Sequence, residues 1–227
     1  MTSTVDIIRD VVSDINNTIV VNSVTGANPY TLSVSTTKYL SSKSIITAGG
    51  LQYNVDSFTK DEEVVVSPRG HSTAFTFSSF TLREPTFLHG TASSVNSEYL
   101  EISNKTREKT PFIWLLRGYT DEFYGEMNGK DRDSTVRLFF MDETNADKWL
   151  NDDHDVNAIN QMSSLCDLFI DVIQASPAFD DLTNWRVTDR PRFGVEVTNQ
   201  GSNGQIIDED LSGVELNITL PIFKICG

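Results

Sequence analysis

Cysteine and histidine are scarce in this chain of 227 residues: it holds two cysteines, Cys166 and Cys226, and three histidines, His71, His89 and His154. Cys166 falls inside a predicted helix and Cys226 at the far end of the chain, which argues against a disulfide framework. Both read as reduced thiols of a cytosolic assembly environment. The histidines are scattered, with no His-x-x-x-His pair and no cysteine pair at zinc-ligand spacing, so no metal ligand is assigned. Long apolar runs are missing as well. None approaches the roughly 20 residues that span a bilayer, and the opening Met1-Thr2-Ser3-Thr4-Val5-Asp6 has no basic region ahead of an apolar stretch. Neither a membrane span nor a secretory signal is expected. A phosphate-cradling glycine loop, a dinucleotide fingerprint and a nucleophile elbow are all absent. No catalytic or cofactor-binding residue is therefore assigned, no cofactor is expected, and the chain reads as a protein other than an enzyme.

Positive charge is also in deficit. Lys and Arg number 18 against 32 Asp and Glu, a net charge of −14. The imbalance sits in residues 111–227, where 9 basic residues face 21 acidic ones; residues 1–110 hold 9 against 11. Binding a phosphate backbone gains from Lys and Arg that neutralise it, so the acidic half disfavours tight nucleic-acid binding. It suits a solvated face, or a surface that nucleic acid passes without sticking. The 38% hydrophobic and 22% charged fractions exclude disorder throughout.

Along the chain, Val5, Ile8, Val12 and Ile15 recur at helical spacing, with Ser3 or Thr4 as cap and Asp6 at the positive end of the dipole. Short β-rich runs follow at 19–21, 30–34, 44–47, 52–55, 63–66 and 73–77, separated by Gly, Pro, Asn and Ser. Ala48-Gly49-Gly50 predicts a tight turn between two of them. Residues 1–82 are read as this helix plus a small β-barrel or sandwich module, and 83–110 as a connector, with Ser94 to Glu108 a polar helix or loop.

Residues 111–227 read as an α+β domain. Pro111-Phe112-Ile113-Trp114-Leu115-Leu116 is apolar without alternation and too short for a helix, which predicts a buried strand. Ser134 to Phe140 predicts a second strand, and Arg117 to Arg132 between them a projecting arm. Ile159, Met162, Cys166, Phe169 and Ile173 mark a helix from about Asp155 to Ala175, ended by Ser176-Pro177. Strands around Trp185 to Val197 and Gly213 to Ile222 complete a β-β-α-β-β order, with a second arm over Thr198 to Asp210. The overall expectation is α+β, a β-sheet packed against helices with an N-terminal β-rich module.

Individual clusters have plain structural readings beside sharper ones. Asp152-Asp153-His154-Asp155 suggests a metal, yet adjacent residues at a helix start point apart and suit the helix dipole. Asp208-Glu209-Asp210 lacks the ligand alternation of a calcium loop. Asp131 and Asp133 are an acid pair whose separation in space the sequence does not give. Trp114, Phe139 and Phe140 read as core. Arg186, Arg190 and Arg192 are the one basic cluster of the acidic half, read as surface charge or as intersubunit ion pairs.

With these residues in view, 111–227 resembles the bacteriophage tail terminator proteins, which form a ring at the neck where tail meets head. The likeness lies in the Pro111-led strand, Thr135 to Phe140, the helix carrying Asn157-Ala158-Ile159 and Met162, Arg192-Phe193-Gly194-Val195, and Leu211-Ser212-Gly213-Val214-Glu215-Leu216-Asn217-Ile218. Thr86-Phe87-Leu88-His89-Gly90-Thr91 and the β-rich N-terminal part also resemble relatives from phages of Bacteroidetes-type hosts. The resemblance implies a virion structural protein in a homo-oligomeric ring, a hexamer, assembled in the host cytoplasm. Such a ring stops tail-tube polymerisation and touches the tail tube protein and a head connector or portal-adaptor protein, while DNA crosses its lumen without specific binding. Asp131, Asp133, Asp208, Glu209 and Asp210 are then candidate acidic lumen loops, and Arg186, Arg190 and Arg192 candidate intersubunit residues. The alternatives are another head–tail connector or head completion ring, and a carbohydrate-binding accessory protein.

Overall fold

The computed structural model describes residues 3–41, 44–102, 109–124, 131–144, 150–193, 195–197, 203–205 and 210–223. The chain divides into two compact units, residues 16–84 and residues 1–15 with 85–227.

The first unit is a closed barrel of six strands: β1 (Thr18–Thr25), β2 (Tyr30–Val34), β3 (Ile45–Ala48), β4 (Leu51–Thr59), β5 (Glu63–Pro68) and β6 (Ser79–Thr81). They close in the order β1-β2-β5-β4-β3-β6, which resolves the choice between barrel and sandwich. Alternation puts Ile19, Leu32, Val34, Ile46, Tyr53, Val64, Val66 and Phe80 inside. Gly49 and Gly50 turn β3 into β4 with φ of 56° and 80°, backbone that residues with a Cβ rarely adopt. The expected strand at 73–77 does not form. Phe75 instead packs edge to face on Tyr53, and Phe77 on Phe75, and the following Ser79–Thr81 closes the barrel against β1 and β3. Where the chain enters and leaves, Asn17 Nδ2 donates to Leu82 O at 3.1 Å and Leu82 N to Asn17 O at 2.9 Å.

In the second unit, α1 (Thr4–Ser13) is capped by Ser3, whose hydroxyl oxygen accepts from Asp6 N, and buries Ile8, Val11 and Val12. Then come β7 (Thr86–Gly90), α2 (Ala92–Ile102), β8 (Phe112–Leu116), β9 (Thr120–Tyr124) and β10 (Asp131–Glu143). A helical run follows as α3 (Asn151–His154), a π-helical turn (Asp155–Ile159) and α4 (Asn160–Ala175). The last strands are β11 (Trp185–Phe193), β12 (Val195–Val197), β13 (Asn203–Gln205) and β14 (Leu211–Ile222). One sheet runs β11-β14-β10-β8-β7, with β9 also on β10; β12 and β13 form a separate hairpin. All pairs are antiparallel except β7 with β8, which run parallel as flanks of α2.

This sheet is covered on both sides of its middle. Phe140 meets Phe169 of α4 on one side, ring centroids 5.5 Å apart; Phe112 meets Tyr99 of α2 on the other at 5.3 Å. Two-sided burial explains why the β8 sequence is apolar without alternation. It also sends adjacent Phe139 and Phe140 to opposite cores, Phe139 stacking on Trp114 at 4.8 Å.

Two boundaries differ from the sequence expectation. The N-terminal helix belongs with residues 85–227 and not with the barrel, because its apolar stripe finds cover in the second unit. Most of the expected connector 83–110 is structure: β7 pairs with β8, and α2 buries Val95 and Tyr99. The expected arm 117–132 is likewise a strand pair over its described part, β9 against β10, with 125–130 outside the described residues. Of the second arm, β13 pairs with β12; 198–202 and 206–209 lie outside the described residues.

Candidate functional site

Strand register sorts the polar residues of the second unit onto two faces. On the α2 side, beyond the apolar cluster of Leu88, Phe112, Trp114, Phe139, Met141 and Leu211, the sheet carries Thr135, Arg137, Glu215, Asn217, Thr219, Arg186, Thr188 and Arg190. Thr135 and Thr219 share a hydroxyl hydrogen bond of 2.9 Å. Glu215 is the centre of this face. Its side chain is 4% exposed, because Arg137 from β10 and Arg190 from β11 close over it. Arg137 Nε donates to Oε1, Arg190 Nε to Oε2 at 2.7 Å, and Asn217 Nδ2 to Oε1 at 2.9 Å. Burial alone would raise the carboxyl pKa; the hydrogen bonds from Arg137, Asn217 and Arg190 outweigh it and hold the group down at about 2. Arg137 also lies 5.0 Å over the Phe139 ring. The result is two guanidiniums fixed in place on one carboxylate, a cationic island within an acidic protein.

On the α4 side, the root of the β9–β10 hairpin is tied to the first turn of α1. Ser134 Oγ donates to Asp121 Oδ1, Thr4 Oγ1 donates to the same carboxylate at 3.1 Å, and Arg132 Nη2 donates to Thr4 Oγ1 at 3.1 Å. Arg132 Nε lies 3.8 Å from Asp121 Oδ2. Thr4, Arg132 and Ser134 are all buried. Further out on β9, Phe123 on this side and Tyr124 on the α2 side are 55% and 45% exposed.

A second buried knot on that side holds His154. Its Nδ1 lies 2.8 Å from Ser212 Oγ and 3.0 Å from Thr144 Oγ1, and Arg192 Nε donates to Nε2 at 3.4 Å. Ser212 and Thr144 thus meet one ring nitrogen of His154 and Arg192 the other. Asp153 Oδ2 accepts from Leu150 N at 2.9 Å, an acid in the first helical turn reaching back to the backbone donor ahead of the helix. Among the described residues, no group of three His, Cys, Asp or Glu could hold a metal ion. His89 Nε2 is buried without a hydrogen-bond partner among the described residues; burial, then Arg117 and Arg9, lower its pKa and keep the imidazole neutral at pH 7.

The residues singled out from sequence are distributed as follows. Asp131 and Asp133 are half-buried on strand β10, not on a loop. Burial, then the Asp133 and Asp131 carboxylates, raise the pKa of Tyr124 on the same face. Asp210 immediately precedes β14, its carbonyl accepting from Thr144 N at 2.9 Å; Asp208 and Glu209 lie outside the described residues. The arginine cluster splits. Arg186 and Arg190 share the Glu215 face, whereas a register shift after Arg190 and φ of 53° at Arg192 turn Arg192 to His154. Sequence reading missed Arg137 and Glu215. Their polar positions in alternating strands were the available signal, but the pairing that joins them is long-range.

No helix among the described residues is long and apolar enough to cross a membrane. No protein-family model, no curated protein and no solved structure matches the chain.

Proposed function

We propose that the chain is a virion structural protein that forms a ring at the phage neck, ends the tail tube and joins tail to head. The observation that carries this reading is the β9–β10 hairpin. It extends the sheet past the last residue of β8, is anchored at its root by buried Arg132 and Thr4 on half-buried Asp121, and holds Phe123 and Tyr124 in solvent. A rigidly rooted arm with exposed aromatics is suited to grip another molecule. Repeated head to tail among identical copies, such a grip closes into a ring when the rotation closes. The tail-terminator resemblance of 111–227 supports the same reading. The acidic excess of that half suits a bore through which DNA slides.

A second reading, another head–tail connector or head completion ring, is favoured by the barrel of residues 16–84, a separate unit available for docking. Negative-stain images of the purified protein, alone and with tail tubes, test the proposal. Closed rings that cap tubes and halt their growth are expected. Rings that bind the portal-bound adaptor and ignore tubes would favour the connector, and a lone subunit in both settings would exclude a ring.

A further inference from the structure

Three strands of the second unit's sheet, β7, β9 and β11, have an outer edge on which no described strand pairs, and two of these edges, those of β9 and β11, complement each other. They lie on opposite sides of the sheet, since the local order is β11-β14-β10-β9. Unpaired edges carry open backbone donors and acceptors and invite another strand. The side chains of the two edges match on both faces. Arg186 and Arg190 stand on the α2 face of β11, and Glu122 on the same face of β9, beside Asp133. On the α4 face, β11 exposes Trp185 and Val187, 39% and 40% accessible, and β9 exposes Phe123. Basic therefore meets acidic on one face and apolar meets apolar on the other.

We propose that β9 of one copy pairs with β11 of the next, so that the sheets of successive copies join edge to edge. The partner is a second copy of this chain, and the inference rests on the ring reading above. Directions agree. Every pair along β11-β14-β10-β9 is antiparallel, so β11 of a following copy in the same orientation runs antiparallel to β9. The stagger agrees too. β9 is centred opposite Asp133, whereas β11, through β14, is centred opposite Phe140. Each junction is thus offset along the strands, and a strand offset of this kind is what tilts a sheet and lets it close on itself. The contact is heterologous, β9 on one side and β11 on the other, so it propagates instead of ending at a dimer. The edge pairing excludes Trp185, Val187 and Phe123 from water and sets Glu122 beside Arg186.

Cross-linking of the full-length protein tests the pairing. In a Cys226→Ser background, Phe123→Cys is combined in turn with Trp185→Cys, Val187→Cys or Asp189→Cys, all on the α4 face. Phe123→Cys with Thr188→Cys, on opposite faces, is the control. Within one copy β9 and β11 are separated by two strands, roughly 14 Å at strand spacing, beyond the reach of a disulfide at about 7 Å. Any bridge therefore joins two copies. Oxidation of one of the three pairs is expected to give a ladder of covalent multimers on a non-reducing gel, with none in the control. Arg186→Glu and Glu122→Arg, both exposed positions, are each expected to raise the concentration needed for assembly about tenfold through like-charge contact, and the double variant to restore it. Circular dichroism checks that each variant is folded.

Rings that form without any ladder, with the charge variants assembling like the parent, overturn the edge pairing and leave the ring reading standing. A ladder that stops at the dimer overturns the head-to-tail contact. A parent protein that stays monomeric alone and on tail tubes overturns both.

Discussion

Arg190 Nε donates to Glu215 Oε2 at 2.7 Å, joining neighbouring strands β11 and β14 through a carboxylate buried on an otherwise polar, exposed part of the sheet. Arg190, a candidate intersubunit residue, makes this bond within its own chain, and together with Arg137 it satisfies an acid that the fold has taken out of water.

Glu215→Gln is expected to cost about 1.5–3 kcal/mol of unfolding free energy at pH 7, the range for hydrogen bonds to a charged group. A carboxyl whose folded pKa is depressed adds stability that is present above its unfolded value, near 4.5, and lost as pH falls through about 2. Urea unfolding across pH 2–7 should show the parent losing this contribution over that window, and the Gln variant losing less. Equal acid sensitivity of the two proteins would contradict the assignment.

Arg132→Met removes the cation beside Asp121 and the donor to Thr4. The expected result is faster amide exchange in β9 and in the first turn of α1, with the barrel of residues 16–84 unaffected. Uniform acceleration over the whole chain would show that the knot does not act locally on the arm.

Gly213→Ala places a methyl group 1.9 Å from the carbonyl oxygen of Phe140 on the paired strand. Backbone cannot yield as a flexible side-chain tip does, so a loss of about 1–3 kcal/mol or more is expected, measured by thermal or urea unfolding. An unchanged midpoint would mean that β10 and β14 lie farther apart.

Cys166 is fully buried on α4, and burial, then Asp167, push its thiol up to about 12. In a Cys226→Ser background the thiol should resist a disulfide reagent in the native protein and react promptly in denaturant. Rapid native labelling would place the α4 stripe at the surface.

Residues 16–84 expressed alone should unfold in one cooperative step, because the barrel closes its own strands and ties Asn17 to Leu82. A broad, non-cooperative transition monitored by circular dichroism would count against an independent unit.

The local elements were written in the sequence because their causes are local. Apolar spacing on α4, the Ser3 cap of α1, the Gly49-Gly50 turn and the unbroken apolar run of β8 each follow from neighbours within a few residues. Even the two-sided burial of β8 could be read from that run. What lay beyond reach was set by pairing across long separations. Nothing near residue 8 says that α1 will cover a sheet begun after the whole barrel has intervened, and a short polar-flanked segment such as Thr86–Gly90 reads as a connector until β8 supplies its partner.

The candidate site divides the same way. Composition determined that this acidic chain has few cationic groups in its second half and that Arg186, Arg190 and Arg192 are close in sequence. Only tertiary structure decided that Arg137 stands across from Asn217 and so reaches Glu215, and that one register shift sends Arg190 and Arg192 to opposite faces. The physical reason is that strand alternation fixes which residues share a side, whereas register fixes which of them touch, and register is chosen by the packing of the whole sheet.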